Sequence, residues 1–226
     1  MENKVPRSVE DTDILNFIRE ITPHEEDVFS AAEDHCRGDD VPILSEELQS
    51  LLAVLLQMHQ PRRILEVGTA YGFSALFMSR FLPEDGELDT IERNPVMYRE
   101  ARMHLEAADP LHRIHLHTGQ ASDLLPRMKG PYDFVLLDAA IGQYPLFWEL
   151  IEPLLAPRAV ILADNVLHGG SVAKDRFEVP RRQRTIHARM RDFLRERLED
   201  PAYRTSLLSI GDGVLIAVRK QVGKEL

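Results

Sequence analysis

The sequence is poor in cysteine and tryptophan, with one of each, and it has no long apolar run. A single cysteine, Cys36, excludes an internal disulfide framework and a thiolate-rich zinc site. A membrane-spanning helix needs about 18 or more consecutive apolar residues, and the longest apolar stretch is interrupted by Gln57. The first residues, MENKVPRSVEDTD, lack the apolar segment of a secretory signal. These absences predict a protein of the reducing cytoplasm that makes no membrane contact.

Positive charge is also scarce, because 27 Lys and Arg face 37 Asp and Glu for a net charge of −10. This balance argues against a protein that coats nucleic acid nonspecifically. The charge is unevenly distributed: residues 1–50 hold 14 acids and 4 bases, whereas residues 174–197 hold 9 bases and 4 acids. The basic segment fits either a specific anionic partner or a solvated helix with pairs such as Arg195–Glu199.

The first sixty residues are predicted to be helical. Thr22-Pro23-His24-Glu25 has the order of a capping box with proline at the first helical position, and Gly38 is placed to end that helix. Ser45 is expected to begin another helix, whose leucines recur at spacings of three and four. We expect residues 1–60 to form a helical cap within the same domain as the rest.

From residue 63 onward, short apolar runs alternate with helical patterns, which are predicted at 73–81, 95–107, 121–128 and 144–155. This alternation indicates an α/β fold with a parallel sheet and helices on both faces. Two last strands, at 206–210 and 214–218, are joined by Gly211-Asp212-Gly213, and so short a connection makes them antiparallel. We therefore predict a mostly parallel seven-stranded sheet in residues 61–220, followed by a tail at 221–226. The five parallel strands are predicted at 64–67, 88–91, 114–117, 134–137 and 159–163.

The first two strands end in residues suited to a nucleoside. Ligands of such sheets bind outside the carboxyl ends of the strands, near the point where strand order reverses. The turn from Glu66 to Ser74 lacks the middle glycine of the pyrophosphate-binding G-x-G-x-x-G. Glu92 ends the second strand, where a carboxylate can accept both hydroxyls of a ribose. The pattern predicts a nucleoside cofactor without a pyrophosphate, and a plain strand-to-helix turn is the alternative.

The fourth and fifth strands end in oxygen ligands. Asp138 follows the fourth strand, and Asp164 and Asn165 follow the fifth. Three oxygen donors without a soft ligand favour a hard cation, Mg²⁺ first and Mn²⁺ or Ca²⁺ next. The alternative is that both aspartates only cap the helices that follow them.

Taken together, these motifs resemble the cation-dependent class I O-methyltransferases. This Rossmann-like family includes catechol and caffeoyl-CoA O-methyltransferases and a bacterial branch that acts on wobble 5-hydroxyuridine in tRNA. The resemblance extends from about Ile43 to the turn at 211–213, and its most specific part is the pair of aspartate motifs. It is carried by ILEVGT at 64–69, TIE at 90–92, LDAA at 137–140 and ADNV at 163–166.

The resemblance implies S-adenosylmethionine (SAM) as the cofactor, a divalent cation and a homodimer. Glu92 would bind the ribose, and Gln120 and Ala121 would frame the adenine. The implied metal ligands are Asp138, Asp164 and Asn165. The full implied cofactor set is Ile43, Glu66, Gly68, Ser74, Glu92, Gln120, Ala121 and Asp138.

One position departs from the family pattern. Family members carry a lysine, a candidate general base, three residues after the first metal aspartate, and this sequence has Ile141 there. An aromatic hydroxyl has a pKa near 10, and coordination to a cation makes such a proton easier to remove. The cation beside Asp138 is therefore one route to an ionised acceptor. His168 is the alternative base, unless it is a solvent-facing loop residue.

Three functions follow from these residues. The main prediction is methyl transfer to a small aromatic, catechol-like hydroxyl. The alternative acceptor is a hydroxylated uridine in tRNA, bound through the segment from Arg176 to Arg197; this segment and the wording at 142–144 resemble the bacterial branch. The third is a non-catalytic cofactor-binding protein, which the change to Ile141 makes conceivable.

Overall fold

The computed structural model describes residues 11–22 and 30–221. Its centre is a seven-stranded sheet in the order β3-β2-β1-β4-β5-β7-β6. Only β7 runs antiparallel to its neighbours β5 and β6, so the predicted topology is confirmed. Two predicted bounds were wrong: β6 begins at Tyr203 rather than 206 and ends at Leu208, and β5 begins at Leu155 rather than 159. The strands are β1 (Arg63–Val67), β2 (Glu87–Glu92), β3 (Ile114–Thr118), β4 (Tyr132–Leu137), β5 (Leu155–Ala163), β6 (Tyr203–Leu208) and β7 (Val214–Arg219).

Helices cover both faces of this sheet, as predicted. Helices α3, α4 and α5 pack on one face around Leu52, Leu76 and Leu105. Helices α6, α7 and α8 pack on the other face around Leu125, Trp148 and Phe193. The bounds are α1 (Asp11–Ile21), α2 (Ser30–Gly38), α3 (Glu46–His59), α4 (Phe73–Ser79), α5 (Pro95–Ala108), α6 (Ala121–Leu124), α7 (Tyr144–Ile151) and α8 (Arg184–Glu199).

The N-terminal helices follow the sequence signals where the structure describes them. Helix α2 ends at Gly38, and Ser45 caps α3 by accepting a hydrogen bond from the Leu48 backbone N–H at 3.3 Å. The predicted helix start at Pro23 lies outside the described residues, and Thr22 itself donates its hydroxyl to the Ile18 carbonyl of α1. The domain limits at 60 and 220 stay predictions.

Prolines shorten two of the predicted helices. The pattern at 121–128 ends as an α-helix at Leu124 and continues as a 3₁₀ turn containing Pro126. The pattern at 144–155 likewise ends at Ile151 before a 3₁₀ turn containing Pro153. Proline cannot donate the hydrogen bond that would extend an α-helix. Among the described residues, no helix is long and apolar enough to cross a membrane.

Candidate cofactor cavity and aspartate pair

A cavity of about 310 Å³ opens where the strand order reverses between β1 and β4. Its wall includes the ends of β1, β2 and β4, which agrees with the position expected for ligands in such sheets. Glu66 is absent from the wall. The predicted cofactor residues that do line it are Ile43, Gly68, Ser74, Glu92, Gln120, Ala121 and Asp138.

Gly68 lets β1 and β4 come together at the bottom of this cavity. Its φ is +107°, and a Cβ atom there would lie 1.8 Å from the backbone oxygen of Asp138. The Asp138 backbone N–H in turn donates to the Val67 carbonyl at 3.0 Å. Any side chain at 68 would therefore clash with the Asp138 backbone, and backbone atoms have little freedom to move aside.

Glu66 lies one hydroxyl away from the cavity wall. It is fully buried, and its Oε2 accepts a hydrogen bond from Thr90, whose oxygen is 2.5 Å from that of the wall residue Thr69. Burial raises the pKa of Glu66 to about 7, and the Asp138 and Glu92 carboxylates act in the same direction. Glu66 Oε1 has no hydrogen-bond partner among the described residues, which is a feature of a site that a ligand completes.

Glu92 is held in place by the backbone around it. Its Oε2 accepts the Ala70 N–H at 2.9 Å, and its Oε1 accepts the Asn94 N–H at 2.6 Å. The side chain is 6% exposed and lines the cavity. Each carboxylate oxygen keeps a lone pair, so the group can still accept two ribose hydroxyls.

Sequence reasoning missed most of the wall that faces these strand ends. Cys36 of α2 and the segment 41–44 lie on one side, and Met97 of α5 lies on another. Of these, only Ile43 was predicted. No local motif marks the others, because apolar residues in a cap resemble ordinary core.

The structure brings the three predicted metal ligands together. Leu137 and Ala163 are register partners, so Asp138 and Asp164 follow at the same level of β4 and β5. The Asn165 amide nitrogen lies 3.1 Å from Asp138 Oδ1. Burial raises the pKa of Asp138, and burial together with the Asp138 charge raises that of Asp164 to about 7.

The chemistry of this set fits a hard cation. Two buried carboxylates lie beside an amide, and neither forms an ion pair with a basic side chain within the described residues. Buried like charges are unfavourable without a compensating cation. No group of three or more His, Cys, Asp or Glu in 11–22 and 30–221 could hold a metal, so the third protein ligand would have to be Asn165.

Tyr144 holds the two aspartate segments together. The side chain is fully buried, and its hydroxyl lies 3.0 Å from both the Leu137 and the Asp164 carbonyl oxygens. It also accepts the Ala139 N–H at 3.3 Å. Burial raises the pKa of Tyr144 well above its usual value, so the phenol stays a donor. Sequence reasoning placed Tyr144 at a helix start but missed this contact.

The loop after Asn165 is fastened by the turn between β6 and β7. The Asp212 carboxylate accepts the Gly169 N–H, and the Asp212 and Gly213 carbonyls accept the N–H groups of Leu167 and Val166. Asn165 and His168 have φ values of +59° and +48°, a region that non-glycine residues rarely occupy. Such strain is characteristic of functional loops.

The two candidate-base positions lie apart from the cavity. Ile141 is half-buried and packs against the apolar cluster of the α7–α8 face. His168 is half-buried, and neither residue lines the cavity. The base therefore stays a prediction.

The basic segment divides into bonded and unbonded side chains. Arg184, Arg189 and Arg191 donate to backbone carbonyls. Arg195 pairs with Asp192, three residues earlier in α8, rather than with the expected Glu199. Four exposed bases of this segment have no polar partner among the described residues: Lys174, Arg176, Arg181 and Arg182. Phe177 of the same segment is 83% exposed, and the Arg184 guanidinium lies 5.9 Å from its ring centroid.

Comparisons with known sequences agree with this arrangement. Residues 7–220 match the sequence profile of the O-methyltransferase family. A catechol O-methyltransferase from Niastella koreensis is 30% identical over 186 residues, which cover 80% of this chain and 82% of that protein. A caffeoyl-CoA O-methyltransferase from Populus kitakamiensis is 31% identical over 174 residues, with 74% of each chain covered.

Solved structures show the same fold. An O-methyltransferase from Bacillus cereus, in complex with SAH, superposes with a TM-score of 0.79 at 25% identity and covers 92% of this chain and 97% of its own. An O-methyltransferase of tomaymycin synthesis from Streptomyces achromogenes, in complex with SAM, gives 0.78 at 28% identity, with 92% and 96% covered.

Proposed function

The chain belongs to the O-methyltransferase family and is a SAM-dependent enzyme, and we propose that it transfers the methyl group to an aromatic, catechol-like hydroxyl next to a divalent cation. The observation that carries the proposal is that Asp138 belongs to both parts of the site: it lines the cofactor cavity, and it accepts a hydrogen bond from the amide of Asn165, the residue after Asp164. A methyl donor bound in the cavity and an acceptor bound at the aspartate pair would then both lie next to the Asp138 side chain.

The cavity suits a cationic nucleoside. Glu92 would accept the ribose hydroxyls, while Gln120 and Ala121 would border the base. The nearby carboxylates of Asp138 and Glu66 give this region a negative potential, which favours a sulfonium over a phosphate. The absence of the middle glycine from the turn after β1 points the same way.

Asp138, Asp164 and Asn165 would hold the cation. When bound, such a cation lowers the pKa of an attached hydroxyl and fixes its position. Tyr144 and Asp212 would keep the ligand segments in place through their contacts with the backbone. With Ile141 in place of a lysine, the proton of an aromatic hydroxyl would pass to solvent or to His168.

A hydroxylated uridine in tRNA is the second candidate acceptor. What favours it is one exposed segment that carries the Phe177 ring and four bases: Lys174, Arg176, Arg181 and Arg182. Exposed aromatic rings stack on unpaired bases, and each basic contact to a phosphate adds a salt-dependent increment of affinity. This surface follows the aspartate pair directly along the chain.

The deciding experiment measures transfer of a labelled methyl group from SAM to catechols and to bulk tRNA from cells that lack wobble methylation. We expect transfer to a catechol that excess EDTA abolishes. In parallel, the charge reversals Arg181→Glu and Arg182→Glu should leave catechol turnover unchanged, with Arg204→Glu on β6 as a matched surface control.

Each outcome discriminates between the proposals. Transfer to tRNA alone, lost in the two reversals but not in the control, would replace the catechol assignment with the RNA one. Full activity in EDTA would remove the cation from the mechanism. Cofactor binding without transfer to either acceptor would contradict both proposed acceptors.

We also propose a homodimer that buries the apolar side of α1. Four apolar side chains of α1 recur at helical spacing and are exposed: Ile14, Phe17, Ile18 and Ile21. Exposed apolar side chains on one side of a helix are typical of interaction surfaces. Light scattering should give a dimer for the native chain and a monomer for Phe17→Glu. A monomeric native chain contradicts the proposal.

A further inference from the structure

Four side chains beside the cofactor cavity form one polar chain, which we call the histidine latch: His35, Asp39, Tyr71 and His104. The Tyr71 hydroxyl donates to Asp39 Oδ2 at 2.8 Å, and His35 Nε2 lies 3.4 Å from the same oxygen. His35 Nδ1 lies 3.1 Å from His104 Nε2, and His104 Nδ1 lies 2.8 Å from the Tyr71 carbonyl oxygen. The latch therefore joins α2, α5 and the turn after β1.

The acceptors at both ends of the latch fix its number of protons. The Tyr71 carbonyl can only accept, so His104 Nδ1 must donate. His35 Nε2 lies 3.4 Å from the Asp39 carboxylate, a contact that is favourable only if this nitrogen carries a proton. One more proton lies between the two rings. With all these contacts favourable, the two rings share three protons on four nitrogens, whereas two neutral imidazoles carry two. This geometry is therefore that of a His35–His104 pair with one positive charge.

The other groups around the pair do not change charge near neutral pH. On α2, Glu33 forms an ion pair with Arg37 at 2.6 Å. The hydrogen bond to Asp39 raises the pKa of Tyr71, with a smaller contribution from Glu100 of α5. Burial raises the pKa of the Cys36 thiol to about 11.

Both ends of the latch lie on walls of the cofactor cavity. His35 and Asp39 flank the wall residue Cys36 and precede the wall segment 41–44, while Tyr71 belongs to the opposite wall. Cys36, Tyr71 and Phe73 form a small apolar cluster with Ile43 between these walls. Opening the latch would free the α2 wall to move away from a bound cofactor.

We propose that the histidine latch clamps the α2 wall onto the cofactor and is complete only while the His35–His104 pair carries a single positive charge. Removing that charge at higher pH deletes the donor to Asp39 or to the Tyr71 carbonyl. Adding a second proton at lower pH sets two N–H groups against each other. Cofactor affinity therefore passes through a maximum with pH, set by the two ionisations of the pair. The proposal rests on SAM occupying this cavity and on neither the cation nor the acceptor.

The test is calorimetric binding of S-adenosylhomocysteine to the full chain from pH 5 to 9 in excess EDTA. The variants His35→Gln and His104→Gln remove the shared charge, and His115→Gln, an exposed histidine on β3, is the matched control. We expect affinity to fall about threefold to tenfold on either side of the native maximum. Both latch variants should lack this maximum, and the control should keep it. Glu66 is present in all four proteins, so its ionisation affects every profile of affinity against pH alike. The role of the latch is therefore read from the difference between the native and variant profiles.

A second measurement tests the number of protons on the two rings without a ligand. At the pH of maximum affinity, or at pH 6.5 if binding is undetectable, ¹⁵N chemical shifts of the two rings should report three protonated nitrogens. Superimposable profiles for the native and latch variants, or two protonated nitrogens, would overturn the latch. Failure of the native chain to bind S-adenosylhomocysteine at any pH would instead contradict the cofactor assignment. Circular dichroism of each variant checks that it is folded.

Discussion

The cofactor side of the site and the aspartate side are held in different ways. On the cofactor side, strand ends and backbone groups fix the polar atoms: Glu92 accepts two backbone N–H groups, and Gly68 sets the approach of β1 to β4. On the aspartate side, Asn165 and His168 lie on a strained loop that the distant turn at Asp212 fastens. A cofactor that all members of a family share can be bound by the ends of the sheet strands. Loops vary more between relatives, so a site built on a loop allows the methyl acceptor to differ from one relative to another.

The comparison predicts that Asp164→Ala impairs the function of the aspartate side and leaves cofactor binding intact. The substitution removes one oxygen ligand and should lower methyl transfer by more than about a hundredfold, while the affinity for S-adenosylhomocysteine changes less than about twofold. Asp175→Ala, in the exposed loop, is the control and should be silent. A matching loss of cofactor affinity, measured by calorimetry, would show that the two sides are not separable.

The converse substitution is Glu92→Ala. It removes two charge-assisted hydrogen bonds to the ribose, each contributing about 1.5–3 kcal/mol, so cofactor affinity should fall well over tenfold. Glu92→Gln keeps one acceptor oxygen and should retain the turn made with Ala70. Glu87→Ala, at the exposed start of the same strand, is the control. An unchanged dissociation constant for Glu92→Ala by calorimetry refutes the placement of the ribose.

Tyr144→Phe tests the hydroxyl that links the segments after β4 and β5. Without the hydroxyl, the Ala139 N–H loses its acceptor, the Asp164 carbonyl loses its donor, and the Leu137 carbonyl keeps only the Asp164 N–H. We expect about 1–3 kcal/mol lower stability in urea unfolding and a turnover about tenfold lower. Binding of Mn²⁺, followed by its electron paramagnetic resonance signal, should weaken while cofactor affinity holds. Unchanged Mn²⁺ affinity limits Tyr144 to folding.

Sequence patterns predicted the sheet well because its signals are local. Buried strands are continuous apolar runs, and the short turn at 211–213 forces the antiparallel pair. The ends of several helices were wrong by a few residues for an equally local reason, since Pro126 and Pro153 favour a 3₁₀ turn over another α-helical turn. The spacing of apolar residues does not show where a helix changes from α-helical to 3₁₀ hydrogen bonding.

The site was predictable only where chemistry and strand ends coincide. Asp138, Asp164 and Asn165 follow strands, so their meeting could be inferred from the alternation alone. His35 and His104 are 69 positions apart, and nothing in either neighbourhood signals that His35 Nδ1 lies 3.1 Å from His104 Nε2. Contacts between a cap helix and a sheet-covering helix depend on tertiary packing, which no short motif encodes.

The smallest expected effect concerns the base on the aspartate side. If the cation and its ligands alone acidify the acceptor, His168→Ala should lower turnover less than about threefold, and activity should rise with pH along the ionisation of the acceptor. A positioned general base would instead be worth about 10²–10⁴, and Ile141→Lys should then restore part of the loss by returning an amine to the position three residues after Asp138. Because Ile141 packs against the α7–α8 cluster, Ile141→Met is the control for lost packing. We expect the cation-alone result, since His168 lies outside the wall of the cavity. A loss above a hundredfold in His168→Ala, with folding and cofactor affinity intact, would assign the proton to His168.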